Sequence, residues 1–136
     1  MEQNRRQRHA LVFLRTVLAA VMFVHGAARI YLGIVGGFGE FLTLQGLPLG
    51  FYLAWAITVF EIVAAVALAA GYYVPILASV FAAHLLAGVY LVHAKDGWFT
   101  VGAGRNGAEF SVVLILSFAA VAYAHYGIEP KRRRRY

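Results

Sequence analysis

Four apolar runs, each close to twenty residues long, dominate this chain: residues 10–34, 51–70, 74–92 and 108–126. A helix rising about 1.5 Å per residue needs about 20 residues to cross roughly 30 Å of hydrocarbon. No water reaches the backbone there, so each run must close its own hydrogen bonds as a helix. The 136-residue length leaves room for one domain. With 62% hydrophobic and 13% charged residues, the composition excludes a disordered chain, a soluble globule and a collagen-like fibre. There is no cysteine, which excludes disulfides, thiolate metal sites and thiol redox chemistry on this chain.

The expected architecture is all-α: an integral membrane four-helix bundle, antiparallel up-down-up-down, over residues 10–127. A basic segment, 1–9, precedes it and a basic tail, 128–136, follows. The first run starts like a signal peptide, with basic residues before an apolar core. Its length exceeds the 7–15 residues or so of a signal core, so it is expected to be a true span. Gly71-Tyr72-Tyr73 is short enough to force a tight hairpin, with Gly71 as the helix stop and Pro75 in the next first turn. The connection 33–50 carries Phe38, Phe41, Leu42 and Leu44, which suit a short interfacial or re-entrant piece. Lys95 to Gly107 is the most polar connection, and Asp96-Gly97 marks a turn in it.

Charge sets the expected orientation. The net charge of +6 is concentrated in Arg5, Arg6 and Arg8 at one terminus and Lys131, Arg132, Arg133, Arg134 and Arg135 at the other. Positive residues beside spans stay inside, so both termini are expected on the cytoplasmic side. The membrane would be the bacterial inner membrane. Tyr31, Trp55, Tyr90 and Trp98 then mark the outer interface, and Tyr72, Tyr73, Tyr123 and Tyr126 the inner one. The terminal cluster Lys131 to Arg135 suits anionic lipid or an acidic partner, not nucleic acid.

Ionisable residues within the runs carry the chemical interest, because each needs a partner or a purpose in hydrocarbon. They are His25, Arg29, Glu61, His84 and Glu109, with Arg15 expected to snorkel to the inner interface. Counting rise along each run suggests two layers. Arg29 and Glu109 form an outer pair, and Glu61 and His84 a pair near the midplane with His25 within a turn. His25 and Arg29, four apart, share a helix face. His25 and His84 are the one histidine pair to consider for haem, and the acid and arginine nearby favour hydrogen bonding over ligation. No metal-ligand motif occurs. Gly102 to Gly107 spells G-x-G-x-x-G, but no strand precedes it, so a dinucleotide reading fails; a flexible loop before the last run is the expectation.

Several short elements occur in an order that resembles the DoxX-like family. They are His25-Gly26-Ala27-Ala28-Arg29, Gly46-Leu47-Pro48, Glu61 followed by Gly71, His84 followed by Asp96-Gly97-Trp98-Phe99, and Asn106-Gly107-Ala108-Glu109-Phe110. The resemblance covers residues 11–127, with Arg29 where the family element has Lys. It implies a small four-helix membrane protein linked to membrane redox systems, such as a subunit of a thiosulfate:quinone oxidoreductase or an accessory partner of other oxidoreductases. The polar core it implies is His25, Arg29, Glu61, His84 and Glu109.

Three functions follow as expectations. The first is an accessory or redox-linked subunit of a larger membrane oxidoreductase, without independent activity or a cofactor of its own. The second is a protein binding a quinone or similar head group at the buried Glu/His/Arg site. The third is a small proton or solute transporter. The expected partners are membrane lipids, a larger membrane complex or further copies of this chain.

Overall fold

Hydrogen-bonding demand in apolar sequence makes helix the only element among the described residues, 2–101 and 106–127 of a computed structural model. The chain forms α1 (Glu2–Tyr31), α2 (Val35–Leu44), α3 (Gly50–Ala70), α4 (Val74–Leu91), a 3-10 turn (His93–Lys95) and α5 (Glu109–His125). Helices α1, α3 and α4 are long and apolar enough to cross a membrane, and α5 is an apolar helix of 17 residues. The described part is an all-α membrane protein with five α-helices.

The element boundaries follow local chemistry. Helix α1 starts eight residues before the first apolar run, so Arg5, Arg6 and Arg8 lie on the same helix as the span. It ends at Tyr31 and not at residue 34, because Gly33 adopts φ +67° and turns the chain. Helix α3 ends where Gly71, at φ +88°, lets its own N–H reach Leu68 O (3.0 Å) and the Tyr72 N–H reach Ala67 O (2.9 Å). That is the paired C-terminal closure a left-handed glycine permits. Pro75 then occupies the first turn of α4, where its missing N–H is no loss.

The connection between the first two long runs is itself structured. Ten-residue α2 extends only about 15 Å, half of a bilayer's hydrocarbon. It packs on α3, burying Val35 and Leu42 against Ala54, with Phe38, Phe41 and Ile57 around them. Two glycines make the contact close. A Cβ on Gly39 would lie 2.8 Å from Phe51 Cα, and one on Gly50 would overlap the Gly39 carbonyl and the Thr43 hydroxyl.

The main core joins α1, α3, α4 and α5. Met22, Leu68, Phe81, Phe118 and Val121 are fully buried in it. Phe81 bridges the layers, its ring 5.3 Å from both Phe60 and Phe118 by centroid. Pairs α1–α3 and α4–α5 share long contacts, whereas α3 and α4 meet over a much shorter stretch. The start of α1, the α3–α4 turn and the end of α5 lie together at one end, where they line a common cleft.

The glycine contact gives a test with opposite signs at two sites. Gly50→Ala is expected to destabilise the fold by about 1–3 kcal/mol through overpacking. Gly36→Ala, where nothing lies within 4 Å of the added carbon, should be neutral or gain up to about 1 kcal/mol. Unfolding in detergent, followed by Trp55 and Trp98 fluorescence, distinguishes them. Equal behaviour of the two variants would show that the α2–α3 approach is not tight.

Candidate functional site: an Arg-Glu-His network across three helices

Glu61 is the centre of the polar interior. It lies on α3, its side chain 1% exposed, in a stretch that is otherwise apolar apart from Thr58. A buried carboxylate must have its oxygens satisfied or it costs several kcal/mol. Here both are. Arg29 of α1 donates from Nη1 to Oε2 at 2.7 Å and from Nη2 to Oε1 at 3.0 Å. His84 of α4 donates from Nε2 to the same Oε1 at 2.8 Å. Three helices therefore converge on one carboxylate.

Arg29 is held on every side. Its Nη1 also donates to Thr58 Oγ1 (3.2 Å), and that hydroxyl donates to Ala54 O (2.7 Å). Its guanidinium lies over the Phe38 ring of α2, with Cζ 4.7 Å from the centroid. The planar fork matches the two carboxylate oxygens, which a lysine ammonium does not do. Gly26 makes the reach possible: a Cβ there would lie 2.8 Å from Ile62 Cγ1 and 3.0 Å from Thr58 O. Its absence lets α1 approach α3 closely, one turn from Arg29.

The expected midplane pair of Glu61 and His84 forms, but the expected outer pair does not. Arg29 bonds Glu61, not Glu109. Helices α1 and α3 run in opposite directions, with Arg15 Nη2 donating to Ala69 O at 3.2 Å. From that level Arg29 is about 21 Å up α1 and Glu61 about 12 Å up α3. Helical side chains lean toward their own N-terminus, so Arg29 leans down and Glu61 leans up, and they meet. Counting Cα rise alone hid this. Thr58 and Phe38 escaped the sequence reading as site residues. The spacing of Thr58, three before Glu61, was the usable signal.

Glu109 has a separate task. Its Oε1 accepts the backbone N–H groups of Thr100 (3.0 Å) and Val101 (3.2 Å), tying the preceding loop to the start of α5. That loop is also held by Thr100 Oγ1 donating to Gly107 O (2.8 Å) and Asn106 Nδ2 donating to Asp96 Oδ2 (2.8 Å). Residues 102–105 of the glycine-rich stretch lie outside the described residues.

His25 is not part of a buried layer. It is exposed, with Nδ1 facing Val21 O of its own helix at 3.2 Å. It shares only the approximate face of Arg29, which reaches the interior by its length. The histidine pair considered for haem is thus split: His25 is on the outside of α1, and His84 is committed through Nε2 to Glu61. The docking candidates Lys131, Arg132, Arg133, Arg134 and Arg135 lie outside the described residues.

His84 is the network's accessible edge, with its side chain 25% exposed against 16% for Arg29. A single carboxylate bonded to two cationic or proton-carrying groups can do two things chemically. It can lock helix register, or it can pass a proton through the imidazole ring.

A double-substitution cycle separates the ion pair from its surroundings. Arg29→Met alone is expected to cost about 3–5 kcal/mol, since it strands the buried carboxylate. Adding Glu61→Leu should recover most of that loss. Unfolding in detergent measures both, and additive losses would mean the two side chains are energetically independent.

A family model described as DoxX matches residues 10–94. The matched span contains Gly26, Arg29, Glu61 and His84 and stops short of Glu109. No curated protein matches the chain, and no solved structure does.

Proposed function

Since this chain belongs to the DoxX family of small membrane proteins, we propose that it acts as an accessory, redox-linked subunit of a larger membrane oxidoreductase. The observation that carries this reading is the completed Arg29–Glu61–His84 network. Its carboxylate is already bonded by residues of this chain, three bonds to two oxygens. Such a centre fastens helices and presents a stable surface; it does not offer a free reactive group. The chain also supplies no cysteine for thiol chemistry.

The matching topology is an antiparallel four-helix bundle in the bacterial inner membrane with both termini cytoplasmic. Support comes from the basic residues of α1 and from the shared end occupied by Arg8, the α3–α4 turn and His125. Because the chain lacks cysteine, single cysteines report topology cleanly. Cysteine replacing Gln3 or Tyr126 should resist a membrane-impermeant thiol reagent applied from outside. Cysteine replacing Lys95 should react. Labelling of all three would contradict the spanning arrangement.

One observation favours a second reading. His84 keeps a quarter of its side chain exposed while bonded to Glu61. An imidazole at that edge suits hydrogen bonding to a quinone head group, with Glu61 as the proton partner. The two readings separate in membranes from cells lacking the chain and complemented with variants. An accessory subunit predicts that quinone-linked oxidoreductase activity is lost on deletion. His84→Gln would then restore it in proportion to the complex assembled. A head-group site predicts full assembly with His84→Gln and about 100-fold or more less activity, the scale of one general acid–base group. Unchanged activity on deletion would reject both.

A further inference from the structure

At the end of the molecule remote from the Arg29–Glu61–His84 network, a cleft of about 1020 Å³ opens between α1, the α3–α4 turn and the end of α5. Its α1 wall follows from helical spacing. Asn4, Arg8, Leu11 and Arg15 are spaced four, three and four apart, so they form one stripe. All four line the cleft. Two guanidinium groups therefore face one space, about 10 Å apart along the helix. Leu11, Val12, Val74, Ile76 and Ala124 give the cleft apolar walls.

Among the described residues the positive charge of this cleft has no acidic partner. No Asp or Glu is among the described residues that line it. Arg15 uses Nη2 on the Ala69 carbonyl, one of the unsatisfied carbonyls at the end of α3. Its Nε is buried with no hydrogen-bond partner among the described residues. A carbonyl satisfies one N–H of five and does not neutralise the guanidinium charge. Arg15 is thus more than a helix cap. Gly71 is the platform for it, since a Cβ there would lie 3.2 Å from Arg15 Nη1.

We propose that this cleft binds one anionic phospholipid, its phosphate between Arg8 and Arg15 and its glycerol and upper acyl chains along the Leu11, Val74 and Ile76 wall. Charge complementarity selects the head group. Two cations, with no acidic residue among the described lining residues, favour a net negative lipid and offer nothing to a choline. The apolar walls select an amphiphile over a free anion, because a phosphate ion would leave them wet. Tyr72 and Tyr73, exposed on the adjoining turn, fit the head-group level of a bilayer. The assignment is independent of the reading of the Arg29 network and needs only that the helices span a membrane.

The test is native mass spectrometry of the delipidated full chain in neutral detergent, titrated with phosphatidylglycerol and phosphatidylcholine of matched acyl chains. Phosphatidylglycerol should be held about tenfold or more tightly than phosphatidylcholine, the scale of two cations near a surface. Arg8→Gln, at an exposed position, should lower that preference about fivefold. Arg15→Gln should lower it further, and Arg15→Lys should keep most of it, which separates charge from capping. If Arg15→Gln fails to fold, Arg8→Gln and Arg15→Lys still decide. Changing Lys131 and Arg132 to Arg135 all to Gln in the full chain should leave the preference intact. Equal retention of the two lipids, an undiminished preference in Arg8→Gln, or loss of preference in the tail variant would each overturn the assignment. So would displacement of the lipid by millimolar inorganic phosphate, which would identify a site for the free ion.

Discussion

A carboxylate kept inside an apolar bundle is the constraint on which this structure turns. Glu61 contributes nothing favourable by itself, because removing it from water costs several kcal/mol. It is tolerated because α1 delivers a guanidinium fork and α4 an imidazole to the same two oxygens. Other features then follow. Gly26 must lack a side chain so that α1 comes near enough. Thr58 must relay hydrogen bonding from Arg29 to the α3 backbone. Helix α2 must fold back so that Phe38 covers the guanidinium.

The same centre connects two halves of the molecule. Helices α1 and α3 form one extensive pair and α4 and α5 another, while the direct α3–α4 contact is short. Helices α1 and α5 pack directly across the two pairs in the main core, and two α3–α4 interactions add to this at adjacent levels: the His84–Glu61 hydrogen bond and the Phe60–Phe81 ring contact. Phe60 precedes Glu61 in α3, and Phe81 precedes His84 by one turn in α4. Directional bonding and aromatic packing therefore reinforce one register. In hydrocarbon the apolar helix faces have little preference for each other over lipid, so such specific contacts decide the assembly.

Much of the fold was legible as periodicity and punctuation. The four apolar runs, the Gly71 stop and the Pro75 start all appear where residue chemistry requires them. The list of ionisable residues in the runs also named all three members of the central network. Of their pairings, Glu61 with His84 was legible and Arg29 with Glu61 was not. Rise along a helix gives the height of Cα, whereas Arg29 and Glu61 meet through side chains that lean toward each other across oppositely directed helices. The α2–α3 contact was hidden for a similar reason: Gly39 and Gly50 read as loop glycines until their backbones are seen to touch.

Sequence by itself determined that this chain is helical and membrane-bound, since apolar runs of this length can satisfy their backbones in no other way. It also determined which charges had to be explained. Only the tertiary structure decided that Arg29 serves Glu61, that Glu109 anchors a loop, that His25 faces outward and that Arg15 lines a cleft with Arg8. The physical reason is that local sequence specifies rise and rotation about one helix axis. The offset between axes, set by glycine contacts and ring packing, decides which polar groups meet.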